Sequence, residues 1–340
     1  MRNPLYFIGL SAVLFSCASQ KTVKNITVKP KPTNSSVVQT PKTLKNPQQD
    51  LKHEGQYDFY RVNIGDASKN DNTISYGSIV SASPNGFKVV KTFFPAVAQN
   101  FRQKYIILHY TALDDEKSVT VLTQQAVSAH YLVNDLGDKE IYQLVDENKR
   151  SYHAGISTWR NDKGLNDTSI GIEIVNAGYV TDSTKMKIFP AYDDEQVKKI
   201  AALVQDIAKR YMIPATNILG HSDVAPTRKQ DPGPKFPWKK LYDQYQIGMW
   251  YDDFAKQTFL DAIIPEDFAM QSTTSTFIFK FQTALKTFGY GIEPSGIVDD
   301  STNKTIEAFQ YHFRPEKYDG IMDAETWAIL QALNQKYPQK

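Results

Sequence analysis

The chain has 340 residues, a formal net charge of +2 and one cysteine, Cys17. That length suits two folded units with unfolded segments around them, and the near-balanced charge argues neither for nor against nucleic acid, which is not an expected partner. A single cysteine excludes an internal disulfide and a thiolate metal cluster, so any metal must be held by imidazoles and carboxylates. The chain begins Met1-Arg2-Asn3-Pro4, followed by a mostly apolar run from Leu5 to Phe15. A basic start and a short apolar core predict a secretory signal over residues 1–16. The run is too short to cross a bilayer as a stable helix.

Cys17 directly follows that run, after Leu14-Phe15-Ser16. The segment resembles a bacterial lipoprotein signal, which implies that Cys17 is lipidated and becomes the first residue of the mature protein. The alternative is an ordinary signal peptide that happens to contain a cysteine. Ala18 and Ser19 come next, and without an Asp there the resemblance implies a lipid anchor on the periplasmic side of the outer membrane. Residues 17–52 are rich in Lys, Thr, Pro, Ser, Asn and Gln and read as a flexible tether, because they cannot bury enough apolar surface to offset ordering. Residues 53–100 hold a turn signal at Ser83-Pro84-Asn85-Gly86, with short strands expected on either side and no functional reading.

Tyr105–Thr111 is a short run of β-formers that predicts a buried strand with His109 near its C-terminal end. Open α/β sheets bind ligands at such ends. Ser118 is placed to cap a helix running to about Ala129, with Val119, Leu122, Ala126 and Ala129 on one face. Tyr131–Val133 and Glu140–Val145 read as strands joined by a turn at Asn134-Asp135-Leu136-Gly137. Ser151–Gly155 reads as a loop, and Ser169–Asn176 as a strand carrying a lone carboxylate, Glu173, among Ile and Val. Val197, Ile200, Ala201, Val204, Ile207, Ala208 and Tyr211 recur at helical spacing and predict a helix from Asp193/Asp194 to Met212. Beyond a less regular segment near 250, Phe277, Phe281, Leu285 and Phe288 mark another helical face. Gly296-Ile297-Val298-Asp299-Asp300-Ser301-Thr302 then recurs as Gly320-Ile321-Met322-Asp323-Ala324-Glu325-Thr326, each Asp beginning a helix. This pattern describes a small helical domain with pseudo-symmetry, expected over 255–338. His312 within it is expected to be structural or on the surface.

The chemistry concentrates in Gly220-His221-Ser222-Asp223-Val224-Ala225-Pro226-Thr227-Arg228-Lys229-Gln230-Asp231-Pro232-Gly233-Pro234. The three prolines forbid a helix through this stretch, so a stiff, turning loop must bring His221 and Asp231 together. Two imidazoles and a carboxylate suffice for a hydrolytic zinc. Of the six histidines, His109 at its strand end is the expected third ligand. No His-Glu-x-x-His helix occurs. Amide hydrolysis also needs a base, and Glu173 fits: a carboxyl among Ile and Val is costly unless paired or used, and burial raises its pKa into a useful range. The alternative is an edge strand with Glu173 facing water. Lys229 is placed either to stabilise an oxyanion or as an ordinary exposed lysine.

Four stretches taken in order carry a resemblance: Ile107-Leu108-His109-Tyr110-Thr111-Ala112, Tyr152-His153-Ala154-Gly155, Asn166-Asp167-Thr168-Ser169-Ile170-Gly171-Ile172-Glu173, and the loop just quoted. Over about residues 100–245 they resemble the zinc-dependent N-acetylmuramoyl-L-alanine amidases, the family of the animal peptidoglycan-recognition proteins, and most of all its outer-membrane lipoprotein members. The repeat unit near 272–336 is similar to three-helix peptidoglycan-binding domains. The resemblance implies an α/β fold: a mixed central β-sheet flanked by helices over 53–250, with 53–100 as an N-terminal extension, plus a small C-terminal three-helix domain. It implies Zn2+ on His109, His221 and Asp231, Glu173 as the catalytic acid and base, and Lys229 on the oxyanion. It also implies His153 and Asn166 in the substrate groove, while His130 lies near the site with a packing role equally open. The activity implied is hydrolysis of the amide between N-acetylmuramic acid and L-alanine of peptidoglycan or muropeptides, by a monomer held to the membrane at Cys17. Two rivals are a peptidoglycan-binding protein without catalysis and a zinc peptidase cutting within the stem peptide.

Overall fold

The computed structural model describes residues 85–87, 100–183 and 187–339. The expected signal peptide, Cys17, the tether and nearly all of 53–100 lie outside the described residues. Of the turn expected at 83–86, Asn85 and Gly86 are described and are in a turn.

Strand β1 (Tyr105–Tyr110) is followed by helix α1 (Asp115–Gln124), β2 (Tyr131–Val133), β3 (Tyr142–Gln143) and a small pair, β4 (Thr158–Trp159) with β5 (Asp162–Lys163). Then come β6 (Ser169–Ile174), the pair β7 (Val180–Thr181) and β8 (Lys187–Ile188), the long helix α2 (Asp194–Tyr211), β9 (Ile218–Gly220) and a single helical turn, α3 (His221–Val224). The main sheet has the order β3-β2-β6-β1-β9. β2, β6, β1 and β9 run parallel, and β3 is antiparallel at the edge. The inner strands are apolar on both faces, as covered parallel strands require: Ile106, Ile107, Leu108, Ile170, Ile172 and Ile174 are all fully buried. β6 lies between β2 and β1, so Glu173 is on an interior strand and the edge-strand alternative does not hold.

Helix α2 forms where its apolar period predicts. The Asp193 side chain caps it by accepting from the N–H of Glu195 and Gln196. Asp194 and Glu195 at its start, and Lys209 and Arg210 at its end, suit the helix dipole. Its stripe of Val197, Ile200, Val204 and Ile207 is buried in the same core as the sheet. Each such side chain contributes about 1.5–3 kcal/mol by leaving water.

Three boundaries differ from expectation, one of them the end of helix α1, which stops at Gln124 rather than about Ala129. Helix α1 starts at Asp115 rather than after Ser118, because Asp114 is the cap: its Oδ1 accepts from Lys117 N at 2.9 Å. Ser118 is inside the helix, and its hydroxyl donates to Asp114 O. Strand β3 is shorter than 140–145 because the N–H groups of Leu144 and Val145 turn to the His130 carbonyl instead of continuing the ladder.

The rest is helical: α4 (Trp238–Tyr245), α5 (Asp253–Asp261), α6 (Pro265–Gln271), α7 (Ser275–Phe288), α8 (Asp300–Phe313) and α9 (Ala324–Lys336). The segment after 250 that looked irregular in sequence therefore contains α5 and α6. The repeat has a physical cause. Buried Gln282 on α7 donates to Ile297 O and Thr302 Oγ1 while accepting from Gly296 N. Gln310 on α8 does the same for Ile321 O, Thr326 Oγ1 and Gly320 N. Each glycine has a positive φ, and a Cβ there would sit 2.9 Å from a backbone carbonyl oxygen, of Ser275 and of Asn303 respectively. Asp299 and Asp323 then cap α8 and α9.

The helical domain and the sheet domain share one core. Trp159, fully buried, packs edge-on against Phe288 and Tyr290, and Trp159 and Tyr290 form a backbone bridge.

Candidate active site

His109 on β1 and Glu173 on β6 are register partners of adjacent parallel strands, so their side chains leave the same face of the sheet. Gly171 shares that face. A Cβ there would collide with the His153 ring, so a glycine is what lets that imidazole lie over the strand. On the other side of β1, Leu108 pairs with Gly220, which delivers His221 beside His109 as α3 begins. The loop returns through a hydrogen bond from Ser222 N to Asp231 O at 2.8 Å. The prolines fall after α3, so the one helical turn and the stiff loop coexist. One ligand atom from each of His109, His221 and Asp231 lies within 4.8 Å of the others, and all three residues are buried.

The protons at this junction can be assigned from the hydrogen bonds. Ser169 donates its hydroxyl to Leu165 O at 2.6 Å. The Ser169 oxygen is then left to accept from His153 Nε2–H, at 3.0 Å. That leaves His153 Nδ1 as an acceptor, and it takes His109 Nε2–H at 3.0 Å. His109 therefore presents a bare Nδ1 to Asp231 Oδ2, 2.8 Å away. His221 reaches the same state by a shorter route: its Nε2–H donates to Ala154 O at 3.0 Å, and in the neutral ring Nδ1 faces Asp231 Oδ2 at 2.9 Å. Two nitrogen lone pairs and a carboxylate oxygen converge with no proton among them. Such a cluster repels itself unless a cation sits within it. The donor set thus fits a divalent metal, with the ring nitrogens facing away from it anchored as ligating imidazoles require.

The electrostatics agree. Burial, then the neighbouring His221, push the His109 pKa down to about 4, keeping it neutral. Burial raises the Asp231 pKa, and only positive charge or N–H donation from the His221 and His109 side outweighs it and lowers the carboxyl. With both rings turning lone pairs to it, that positive charge has to come from a bound cation. Glu173 goes the other way. Burial raises its pKa well above the carboxylate norm, Asp231 adds to the rise, and Lys229 opposes it. Glu173 Oε2 is enclosed without a hydrogen-bond partner. A buried polar atom left in that state is expensive unless a ligand meets it. A cavity of about 250 Å³ opens onto these residues, with Glu173, Lys229 and His153 in its wall and Leu113, Val121 and Val127 lining its apolar side.

Among the remaining residues singled out in the sequence, His153 reaches the cavity, but both its ring nitrogens are engaged by His109 and Ser169. Asn166 is buried behind it, with Oδ1 accepting from the N–H groups of His153 and Ala154 at 3.1 and 2.7 Å. It does not border the cavity just described. His130 is buried, with Nε2–H donating to Lys149 O and Nδ1 accepting from Gly171 N. Its role is to hold two loops and β6 together. His312 is buried too, and its Nδ1 meets Asp223 Oδ2 at 2.8 Å. The sequence reading missed Ser169, Gly171 and Asp223. Gly171 and Glu173 alternate on one face of a strand otherwise made of large residues, and that small-residue gap was the available signal.

A mixed α/β sheet that ends in this donor set, with an enclosed carboxyl beside it, defines a hydrolase. Residues 99–234 match the family model described as N-acetylmuramoyl-L-alanine amidase, and residues 275–330 match one described as putative peptidoglycan binding domain. The chain is 40% identical over 243 residues to the N-acetylmuramoyl-L-alanine amidase AmiD of Escherichia coli (strain K12), spanning 70% of this chain and 84% of that one. A solved complex of AmiD from E. coli with the substrate anhydro-N-acetylmuramic acid-L-Ala-D-gamma-Glu-L-Lys aligns with a TM-score of 0.67 at 38% identity, over 76% of this chain and 98% of that one. AmpDh3 from Pseudomonas aeruginosa aligns with a TM-score of 0.64 at 38% identity, over 77% of this chain and all of the other. The chain belongs to the N-acetylmuramoyl-L-alanine amidase family.

Proposed function

We propose that Glu173, Lys229 and a zinc ion held by His109, His221 and Asp231 carry out this family's reaction, hydrolysis of the amide between N-acetylmuramic acid and L-alanine. The observation that supports the reading most is the convergence of two imidazole Nδ1 atoms on one carboxylate oxygen, at 2.8 and 2.9 Å. Zinc bound there would lower the pKa of a water towards 7 and polarise the scissile carbonyl. Glu173 takes a proton from the attacking water and returns it to the leaving nitrogen of L-alanine. A carboxyl with a raised pKa performs both transfers well near neutrality. Lys229 supplies positive charge to the oxyanion that forms on the carbonyl oxygen. His153, Ser169 and Asn166 act behind the ligands, fixing the His109 tautomer, rather than on substrate.

The substrate reading, a muropeptide or peptidoglycan strand, is supported by the muropeptide bound to the E. coli relative and by the second family match over 275–330. Export and lipid anchoring at Cys17, facing the periplasm from the outer membrane, are supported by the sequence of residues 1–19. A Cys17→Ala variant is expected to leave the membrane fraction.

The test is product analysis on muropeptides, with metal content measured in parallel. Intact stem peptide beginning with L-alanine is the expected product. Shorter peptides would establish the stem-peptide peptidase instead. Intact substrate with metal-free protein, insensitive to chelators, would leave a binding protein.

A further inference from the structure

A separate cavity of about 330 Å³ lies on the seam between the sheet domain and the helical domain, and it shares no wall residue with the catalytic cavity. Pro234 and Lys235, just past the catalytic loop, form one side. The first turn of α4, with Trp238, Lys239 and Lys240, forms the next, and Trp250 and His312 complete it.

Two wall residues carry stranded atoms. Trp250 is 3% exposed and His312 1%, yet Trp250 Nε1 and His312 Nε2 have no hydrogen-bond partner. An indole N–H can only donate. His312 gives its Nδ1–H to Asp223, so Nε2 of the neutral ring is left as an acceptor. Enclosed polar atoms in that state are costly unless a ligand meets them. The start of α4 is open as well. Pro237 stands at the cap position, no side chain caps the helix, and the N–H groups of Lys239 and Lys240 meet no acceptor among the described residues. Free N–H groups at a helix N-terminus, backed by the helix dipole, attract an oxyanion.

The surrounding charge has the matching sign. Lys235 is exposed and has no ion pair among the described residues, and Lys239 Nζ lies 6.0 Å from the centre of the Trp250 ring. Lys239 and Lys240 hold Asp243 and Asp194 at 2.6 Å, in surface pairs of little strength. One carboxylate, Glu316, borders the space, and it stands beside the Arg314 guanidinium. The helix start, the indole and three ammonium groups supply more donors than a planar carboxylate can use, and they suit a tetrahedral oxyanion. The lone acceptor among them, His312 Nε2, calls for a hydroxyl on the same ligand. We propose that this seam cavity is a binding site for a phosphomonoester, whose charged oxygens accept from Trp250 and the start of α4 and whose P–OH donates to His312. Trp238 stacks on His312, and His312 holds Asp223, so the ligand would clasp the two domains where the catalytic loop ends. The site stands apart from the amidase reaction and touches no reacting atom.

The test is calorimetric titration of the full chain, incubated with zinc, with glycerol 3-phosphate. Trp250→Phe keeps a ring and removes the N–H, and is expected to weaken binding about tenfold. Lys235→Gln, an exposed change that leaves the core alone, is expected to weaken it about threefold, and added salt to weaken it in the wild type. The ligand should raise the Tm of the wild type more than that of Trp250→Phe. Zinc also attracts phosphate, but binding at the metal would survive both substitutions. Affinity unmoved in both variants, or no binding to the wild type, overturns the site. Vesicles separate two sources of the same group. If phosphatidic acid vesicles displace glycerol 3-phosphate and phosphatidylcholine vesicles do not, the site belongs to a lipid headgroup. If neither displaces it, the site belongs to a soluble phosphomonoester.

Discussion

Asp223 in helix α3 and Asp231 in the loop that follows it each meet imidazole nitrogen, yet the two surroundings are opposites. Asp223 Oδ1 accepts from the Tyr290 hydroxyl at 2.7 Å, and Oδ2 accepts from Gly220 N at 2.8 Å and from His312 Nδ1–H at 2.8 Å. Every contact it makes contains a hydrogen. Asp231 Oδ2 has two imidazole nitrogens at similar distances, and neither neutral ring offers it a proton. Both are buried aspartates with an imidazole Nδ1 at 2.8–2.9 Å. Proton inventory separates a strut from a group of side chains that could hold a metal ion. The strut joins the catalytic loop to the helical domain, with the Trp238 ring stacked on His312 at 3.9 Å.

The largest expected effect breaks chemistry away from the metal. Glu173→Gln should lower kcat/KM by about 10²–10⁴ with zinc content unchanged by metal analysis. A variant that turns over like wild type would remove Glu173 from the mechanism. On the strut side, Asp223→Ala should cost about 3–5 kcal/mol of stability by denaturant unfolding, because it strands the Tyr290 hydroxyl and His312 in the interior. A cost under about 1 kcal/mol would mean that the two domains are not held there.

A third prediction concerns pH. His130 is buried as the neutral ring, and its pKa is pushed from 6.5 down to about 4. Between those values the unfolded chain takes up a proton that the folded chain refuses. Stability should therefore fall as pH drops from 6.5 towards 4 and level off below that, by up to about 3 kcal/mol from this group. His130→Gln should flatten that part of the profile. The smallest effect sharpens the comparison. His153→Phe should weaken zinc binding about 10- to 100-fold, since His109 then loses the partner that fixes its tautomer. His312→Phe should leave zinc affinity where it was. Equal zinc affinity in the two variants would dissolve the distinction.

Much of this was readable in the sequence. β1 and α2 are long, strongly patterned segments, and the structure keeps them within a residue or so of expectation. The convergence of His109, His221 and Asp231 was expected from chemistry-bearing residues at a strand end and on a proline-stiffened loop, and the three side chains do meet. What could not be read depends on distant partners. Ser118 and Asp114 are both good caps, and the choice between them is made by which side chain meets a free N–H. The early end of β3 is set by the His130 carbonyl. The run from Ser169 through His153 to His109 exists only as three-dimensional proton bookkeeping, so the resemblance placed His153 in the groove, whose wall it does line, without showing its hold on His109. Helices α5 and α6 were missed because neither has a fully buried residue to imprint a clear period.

Trp159 belongs to the sheet domain, yet the aromatic residues that pack its indole edge-on, Phe288 and Tyr290, belong to the other domain, and Gly289 is kept bare by that indole's approach. A chain cut before Ser275 would uncap an indole that never meets solvent in the intact enzyme. The tail is thus a cork rather than an accessory. Any shortened version built for the laboratory would need a substitute plug before its solubility or half-life said anything about catalysis.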